Sequence, residues 1–262
     1  MNREVPRYKK KEFSERKSSY CIVVFVINEG DRIRSQLAKM KPYSDQVDII
    51  IADGGSTDGS LDEAYLREQG VRVLLIKTET GKLGSQMRIA FAYALDQGYK
   101  GVIVMDGNNK DDPGAIPQFI KALEEGMDHV QGSRYIHGGV AINTPWLRHW
   151  AVKLIHAPLI RSASGFRYTD TTNGFRAYSK LFLNNAGVDP FRKVFSDYEL
   201  HYYLAIRAAR LKFKVREVPV TRAYPKSVPA PTKISFFKGN FNVLKLLFLA
   251  CFGYYNPKNI QK

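Results

Sequence analysis

Short apolar runs alternate with amphipathic stretches over the first half of the sequence. Apolar runs of this length, rich in β-branched residues, are typical of strands that are buried on both faces. Strands that alternate with helices predict an α/β fold with a mostly parallel central sheet and helices on both faces. The predicted strands are Cys21–Ile27, Val47–Ala52, Val71–Ile76 and Gly101–Met105. The predicted helices are Asp31–Met40, Leu61–Gln69 and Ser85–Gln97.

The second half of the sequence is less regular, but it continues the same pattern. It predicts strands at Asp128–Gly132 and Lys214–Val220, and helices at Trp146–Ile160 and Ser196–Ala209. A chain of 262 residues with 44% hydrophobic residues can bury one large core. Because the sequence shows no internal repeat and no long linker, we predict a single globular domain.

The positive charge of the chain is concentrated at its two ends. Of the formal net charge of +15, residues 1–20 hold +4 and residues 200–262 hold +11, so the middle is neutral. Such ends favour an anionic partner, which nucleic acid, an anionic membrane or a phosphorylated substrate would provide. We predict a flexible basic arm over residues 1–19, the globular domain over 20–233 and an amphipathic segment over 234–262.

The C-terminal segment is apolar but interrupted. Its longest run without a polar residue or glycine is Leu246–Phe252, well short of the ~20 residues that span a bilayer. As a helix, the segment would be apolar apart from one stripe of Ser235, Lys238, Asn242 and Lys245. Such a helix could lie in a membrane interface with its lysines among the headgroups, or it could dock on the protein's own core. The neighbouring positive charge favours the membrane.

Cysteine use and the N-terminal sequence bear on the compartment. Cys21 and Cys251 lie far apart and match no metal or disulfide spacing, which predicts a reducing compartment. The N-terminus lacks the apolar stretch of a signal peptide. We therefore expect a cytoplasmic protein that is peripherally associated with the inner face of the membrane.

Two acidic turns follow predicted strands, at the carboxyl ends where α/β sheets bind ligands. Asp53 opens a glycine-rich turn, where an aspartate can accept hydrogen bonds from a base or a ribose. Asp106 opens an oxygen-rich loop, which suits Mg²⁺ or Mn²⁺ bridging a diphosphate. A polar turn before a helix explains Asp111 and Asp112 equally well, but it does not explain Asp106, which directly follows a buried strand.

Six short motifs occur in order along residues 20–235. They are Val26-Ile27-Asn28-Glu29, Asp53-Gly54-Gly55-Ser56-Thr57-Asp58-Gly59, Met105-Asp106-Gly107-Asn108, Gly132-Ser133-Arg134-Tyr135, Thr172-Asn173-Gly174-Phe175-Arg176 and Glu217-Val218-Pro219-Val220. Their order resembles that in family-2 glycosyltransferases of the GT-A fold, and most of all in the dolichol- or polyprenyl-phosphate sugar transferases. The resemblance implies a Rossmann-like GT-A domain and an inverting transfer of a sugar from a nucleotide-sugar donor to a lipid phosphate.

The resemblance also implies roles for individual residues on the donor side. The predicted donor-binding residues are Asn28, Glu29, Asp53, Lys82, Asp106 and Asn108. The predicted ligands of Mg²⁺ or Mn²⁺ are Asp106, Asn108 and Asp111. Asn108 replaces the second aspartate of the family's Asp-x-Asp motif, and Lys110 stands where the subgroup usually has a glutamine ligand. Asparagine can ligate through its carbonyl but a charged lysine cannot, so Lys110 is a second candidate for the counter-charge of the diphosphate.

On the acceptor side, Arg134 and Lys233 are predicted to bind the acceptor phosphate. Asp170 is predicted to position the acceptor or to act as a general base, and bonding of the Thr-Asn-Gly turn explains it equally well. A phosphate acceptor would need no base, because its second pKa is about 6. Arg176 is expected to be structural and to pair with an acidic residue. The predicted catalytic residues are therefore Asp106, Asp170 and Arg134.

The predicted partners are a nucleotide-sugar donor, a lipid-phosphate acceptor and an anionic membrane surface, and a homo-oligomer is left open. We predict no binding of nucleic acid, because no such motif occurs and the acidic strand ends would have no role. Two alternatives remain at this stage. One is a glycosyltransferase that extends a surface polysaccharide away from the membrane. The other is an inactive binding module, which Asn108 and Lys110 suggest.

Overall fold

The computed structural model describes residues 3–225 and 238–257. Its strands are β1 (Tyr8–Glu12), β2 (Tyr20–Val26), β3 (Asp48–Asp53), β4 (Val71–Lys77), β5 (Gly101–Asp106), β6 (His129–Ser133), β7 (Val140–Ile142), β8 (Arg176–Ser179), β9 (Val215–Pro219) and β10 (Thr221–Ala223). Eight of them form one sheet in the order β1-β4-β3-β2-β5-β8-β6-β9, in which only β1 and β8 are antiparallel to their neighbours. β7 and β10 form a separate parallel pair. The predicted mostly parallel sheet is thus confirmed.

Helices cover the sheet on both faces, as predicted. They are α1 (Asp31–Met40), α2 (Glu63–Glu68), α3 (Leu83–Asp96), α4 (Ile116–Glu124), α5 (Trp146–Ala151), α6 (Ala157–Ser164), α7 (Lys180–Leu183), α8 (Glu199–Arg210) and α9 (Lys238–Cys251). A π-helical turn, Val152–His156, joins α5 to α6 in one continuous helical segment. Two hydrophobic clusters result, one between the sheet and α3, α6, α8 and α9, the other between the sheet and α1, α2 and α4.

The central strand β2 shows why the sheet needs helices on both of its faces. All seven of its residues are buried. Successive side chains point to opposite faces, so Cys21 and Val23 enter the first cluster while Ile22 and Val24 enter the second. A strand that is apolar on both faces is stable only inside a layered α/β fold.

The prediction of a flexible arm over residues 1–19 is wrong. Strand β1 pairs antiparallel with β4 along its whole length, from Tyr8 opposite Lys77 to Glu12 opposite Val73. Arg3 donates a hydrogen bond from Nη1 to Oδ1 of Asp96 at 2.6 Å. The strand escapes sequence analysis because it is a largely exposed edge strand, and lysines are common there since they block pairing with other chains.

Helix α9 resolves the two interpretations of the C-terminal segment in part. It packs against α8 and α6, and it buries Leu247 and Ala250 in the first hydrophobic cluster. Docking on the protein's own core is therefore correct for one face of the helix. The opposite side leaves Phe241 and Phe248 exposed, so it retains an apolar surface. Lys233 and Ser235 lie outside the described residues.

We expect deletion of residues 1–12 to destabilise the protein. The deletion uncovers the edge of β4 and removes the hydrogen bond that Tyr93 Oη donates to Glu12 at 2.8 Å. The melting temperature should fall by at least about 3 °C, the shift that roughly 1 kcal/mol produces in a chain of this size. Differential scanning calorimetry of the full and shortened chains measures the shift. Equal melting temperatures would restore the flexible-arm interpretation.

Candidate active site

The carboxyl ends of β3, β2 and β5 lie side by side and carry the main predicted site residues. Asp53 is the last residue of β3 and lies opposite Val26 at the end of β2. Asp106 is the last residue of β5 and lies opposite Phe25. The parallel register therefore brings Asp53 and Asp106 to either side of the same strand end, where ligands bind in α/β sheets.

On the donor side, the loops after β2 and β3 are tied together by side-chain hydrogen bonds. The buried carboxylate of Asp53 accepts hydrogen bonds from the backbone N–H and the hydroxyl of Ser56, at 2.9 Å and 2.6 Å. Asn28 accepts a hydrogen bond from the N–H of Thr57 at 2.8 Å. Glu29 accepts one from Nε of Arg32 at 2.9 Å. Asp53 thus shapes the turn, and its contact with a nucleoside stays a prediction.

Lys82 marks the far side of the predicted donor site. It immediately precedes α3, and its Nζ donates a hydrogen bond to Oδ2 of Asp197 at 2.8 Å. The lysine side chain is largely exposed, whereas Asp197 is buried. An exposed ammonium group at a helix start is suited to an anionic ligand, and the binding of the donor by Lys82 stays a prediction.

Asp106, in the oxygen-rich loop, is partly exposed, with 29% of its side chain accessible. Gly174, from the Thr-Asn-Gly-Phe-Arg motif, lies directly against it: a Cβ at position 174 would come within 2.9 Å of its Oδ1. On the other side, Nη2 of Arg222 lies 3.3 Å from Asp106 Oδ2, and Nδ2 of Asn108 lies 3.4 Å from the same oxygen.

Arg222 is the central residue that sequence analysis missed. Its side chain is buried between two carboxylates, with Nη2 facing Asp106 and Nη1 donating a hydrogen bond to Asp111. Strand β10 brings it there, because the N–H of Ala223 donates to the carbonyl of Lys110 at 2.8 Å. Its position two residues after the Glu-Val-Pro-Val motif was the only signal, and the pairing of β10 with this loop is not visible in sequence.

The prediction of Asp111 as a metal ligand is contradicted. Its side chain is fully buried and accepts a hydrogen bond from Arg222. Burial raises the pKa of Asp111, although the charge of Arg222 opposes the rise. Burial would lower the pKa of Arg222, but Asp111 and Asp106 outweigh it and raise that pKa, so the guanidinium stays charged.

A divalent cation would have few protein ligands at this site. Within residues 3–225 and 238–257, no three His, Cys, Asp or Glu side chains are grouped so as to hold a metal ion. Asp106 and the amide oxygen of Asn108 are the remaining predicted donors. This set fits Mg²⁺ or Mn²⁺ only if diphosphate and water oxygens complete the shell, which is a common arrangement for Mg²⁺.

Basic side chains gather around Tyr224, next to Asp106. Arg148 donates a hydrogen bond from Nη1 to Tyr224 Oη at 2.9 Å, and Nζ of Lys110 lies 5.1 Å from the ring centre. Burial would raise the pKa of Tyr224, but Arg222 and Arg148 outweigh it and lower that pKa. Burial lowers the pKa of Lys110, and Arg222 lowers it further. We call Lys110, Arg148 and Arg222 the basic cluster; side chains of this kind attract phosphate groups.

Arg134 and Asp170 are brought together, but not as predicted. They form a buried ion pair in which Nε and Nη2 of Arg134 donate to the two carboxylate oxygens at 2.6 Å and 2.9 Å. Asp170 also accepts a hydrogen bond from the N–H of Thr172 at 3.3 Å, so the turn-bonding alternative is correct. Burial would raise the pKa of Asp170, but Arg134 outweighs it and lowers that pKa. A buried, paired carboxylate with a lowered pKa is a poor general base.

The pairing also corrects the role of Arg134. Its side chain is almost fully enclosed, so direct binding of an acceptor phosphate would require the ion pair to open. Arg176 is structural, as expected, but it pairs with carbonyls and not with an acid. It donates hydrogen bonds to the backbone oxygens of Asn173, Thr171 and His201.

A mostly parallel sheet with acidic and basic groups at its strand ends is the layout of α/β proteins that bind ligands at this edge of the sheet. Residues 21–197 match the glycosyl transferase family 2, and the match spans more than half of the chain. The chain belongs to this family and is a glycosyltransferase.

Two curated relatives narrow the comparison. The undecaprenyl-phosphate mannosyltransferase of Micrococcus luteus is 29% identical over 205 residues, which cover 76% of this chain and 81% of that protein. The polyprenol monophosphomannose synthase of Mycolicibacterium smegmatis is 28% identical over 203 residues, which cover 76% of each protein.

A solved structure shares the fold. Glucosyl-3-phosphoglycerate synthase from Mycobacterium tuberculosis, crystallised with Mn²⁺, uridine diphosphate and glucosyl-3-phosphoglycerate, aligns with a TM-score of 0.62 at 16% sequence identity. The alignment covers 92% of this chain and 81% of that chain. The likeness confirms the predicted GT-A architecture.

We expect Arg222→Met to lower the free energy of unfolding by about 3–5 kcal/mol at pH 8, the usual cost of leaving a buried charge without its partner. Without Arg222, burial and the charge of Asp106 act on Asp111 without their main opponent, so its pKa in the folded state rises further above the unfolded value. Such a group favours folding at low pH and loses that contribution as the pH rises, so the loss should be smaller at pH 5. Urea unfolding of the unchanged chain and of Arg222→Met at both pH values measures the loss of unfolding free energy.

The matched control removes the charge that Arg222 balances. Arg222→Met combined with Asp111→Asn should recover part of the lost stability, because no carboxylate then remains in the fully buried position. Equal stability of Arg222→Met and the unchanged chain at pH 8 would contradict the buried ion pair.

Proposed function

We propose that this glycosyltransferase transfers a sugar from a nucleotide-sugar donor to a polyprenyl phosphate, with inversion at the sugar carbon. The observation that carries the proposal is the adjacency of Asp106 to the basic cluster of Lys110, Arg148 and Arg222. A transfer between a diphosphate donor and a phosphate acceptor brings two anionic groups into one site. The names of the two curated relatives support the acceptor class.

The donor diphosphate would lie at the strand ends, between Lys82 and the basic cluster. Asn28, Glu29 and Asp53 border the side of the site suited to the nucleoside. Asp106 and Asn108 would hold Mg²⁺ or Mn²⁺ together with the diphosphate. When bound, such a cation neutralises charge that develops on the leaving diphosphate. Arg222 supports the same function in a second way, because its guanidinium lies beside Asp106, with Nη2 3.3 Å from Oδ2.

The acceptor phosphate is itself the nucleophile in this proposal. One of its oxygens attacks the anomeric carbon as the bond from that carbon to the diphosphate breaks. A phosphate monoester has a second pKa of about 6, so it needs no general base at neutral pH. Three carboxylates that could serve as a base are already engaged, which supports this acceptor. Asp170 pairs with Arg134, Asp197 accepts from Lys82, and Glu199 accepts from the N–H of Asp197. A sugar-hydroxyl acceptor, as in polysaccharide extension, would require one of them to be released.

Arg148 and Lys110 are the described residues best suited to the acceptor phosphate, and Arg134 would join them only if its ion pair with Asp170 opened. Lys233 keeps its predicted role as a proposal, since it lies outside the described residues.

A lipid acceptor implies contact with a bilayer on the cytoplasmic side. Over the described ranges, no helix has the length and apolar character needed to cross a membrane. The positive C-terminal region and the exposed Phe241 of α9 support peripheral contact.

The function is tested by assaying the purified chain with a panel of nucleotide sugars, with and without Mn²⁺. A thermal-shift screen identifies the donor, because a ligand that binds the folded state raises the apparent stability by mass action. The donor found is then offered to a polyprenyl phosphate or to an oligosaccharide with free hydroxyls. We expect transfer to the lipid phosphate. Transfer to the oligosaccharide alone would replace the proposed acceptor.

We expect Asp106→Asn to lower the transfer rate about 100-fold or more, in line with the loss of a group that stabilises transition-state charge. The melting temperature should stay within a few degrees, because Asp106 is partly exposed and its contact with Arg222 is long. Asp112→Asn is the matched control, since Asp112 is in the same loop but accepts a hydrogen bond from the N–H of Gly114. Similar rates for the two variants would remove Asp106 from the proposed site.

A further inference from the structure

Large apolar side chains are exposed along one short segment of the chain. Seven of the fourteen such exposed side chains in the described part of the protein fall between residues 140 and 155. They are Val140, Ile142, Trp146, Leu147, Trp150, Leu154 and Ile155. Scattered exposed apolar residues are normal on a protein surface, but a contiguous group marks an interaction site. We call the seven exposed apolar side chains of residues 140–155 the apolar face.

The helical part of this segment is strongly two-sided. Val152, His156 and Ile160 are buried and recur every four residues, which defines the inner side of the helix. Trp146 and Leu154 lie on the outer side with 74% and 66% of their surface exposed. Side chains so exposed contribute nothing to the core, so their apolar character is not explained by the fold of the isolated chain.

The charge of this region is positive throughout. The sequence has no acidic residue between Asp128 and Asp170, whereas it has five basic ones there. Of these, Lys153 and Arg161 are exposed on the same helical segment as the apolar face. Apolar and aromatic side chains beside basic ones are typical of helices that lie in the interface of an anionic bilayer. A second copy of the chain would bring like charges together, which disfavours association through this face.

The inner side of the same segment contacts the candidate active site. Arg148 belongs both to this segment and to the basic cluster, and it donates a hydrogen bond to Tyr224, around which the cluster gathers. The exposed Lys153 extends toward Tyr135, with Nζ 5.4 Å from the ring centre. One helical segment therefore has its outer side exposed to the surroundings, and through Arg148 it also contributes to the basic cluster.

We propose that the apolar face docks onto an anionic lipid bilayer, with Trp146, Trp150 and Leu154 entering the boundary between headgroups and acyl chains. This inference rests on the proposed function, because it names the surface from which the lipid phosphate would reach the basic cluster. Docking through this face places Arg148 at the level of the headgroups, within one helix width of the site.

The chain contains its own probe for this contact. Trp146 and Trp150 are its only two tryptophans, and both lie on the apolar face. Adding vesicles of phosphatidylglycerol and phosphatidylcholine should shift the tryptophan emission to shorter wavelength, and brominated lipids should quench it. High salt should weaken the shift without abolishing it, because screening affects the basic residues and not the apolar ones. Pure phosphatidylcholine vesicles should give a smaller shift.

A matched pair of variants locates the contact. Leu154 and Leu181 are exposed leucines of similar accessibility, 66% and 68%, but only Leu154 belongs to the apolar face. Leu154→Ser should lower the vesicle partition coefficient about tenfold, the effect of withdrawing most of one leucine side chain from the bilayer. Leu181→Ser should leave it unchanged. Equal partitioning of the two variants would overturn the proposal.

Two further results would overturn the docking proposal. Neither of them bears on the proposed function, which has its own test. Sedimentation with vesicles without a tryptophan shift would place the membrane contact elsewhere, and a shift that grows with protein concentration in the absence of vesicles would indicate a second copy. Transfer to a short-chain, water-soluble polyprenyl phosphate reports the function without a bilayer. If the chain transfers sugar but its tryptophan emission does not shift with vesicles, only the docking proposal fails. If the emission shifts but no polyprenyl phosphate accepts the sugar, only the proposed function fails.

Discussion

The buried guanidinium of Arg222 is the interaction on which the site depends. It faces Asp106 and Asp111, and so it joins β10 to the end of β5 and the loop that follows. Removing one partner of the fully buried Arg222–Asp111 pair costs several kcal/mol, because a charge is then left in a medium of low dielectric constant. The pairing therefore holds the loop against β10 and keeps Asp106 at the opening of the site. It also makes a fixed positive charge part of the place where a diphosphate would bind.

Phosphate chemistry explains features that a hydroxyl acceptor does not. The basic cluster offers positive charge beside Asp106, while the carboxylates of Asp170 and Asp197 are engaged with Arg134 and Lys82. An enzyme that deprotonates a sugar hydroxyl needs an available carboxylate near the reacting oxygen. An enzyme whose acceptor is already anionic needs positive charge instead, because two anions must approach each other. The proposed transfer to a lipid phosphate is of the second kind, and the basic cluster would supply the positive charge that it needs.

The helical segment from α5 to α6 links this chemistry to the protein surface. Its buried residues recur every four positions through the π-helical turn, so one side stays packed while the other stays exposed. Arg148 extends from it to Tyr224, and Trp146 and Leu154 face outward. A lipid substrate requires both properties in one place, since its phosphate must reach polar groups while its chain remains in an apolar medium.

The sequence by itself determined the mostly parallel core of the sheet, because buried strands and amphipathic helices are local patterns: all six predicted strands lie within one residue of their observed ends. It did not predict β1, β7, β8 or β10, which pair with parts of the chain distant in sequence. The sequence also identified Asp106 as a candidate site residue, since a carboxylate that directly follows a buried strand has few structural uses. Only the tertiary structure decided the partners of charged residues. It paired Asp170 with Arg134 and buried Asp111 against Arg222, residues distant in sequence. Strand pairing sets such contacts, and no local pattern encodes which of many basic residues will meet a given carboxylate.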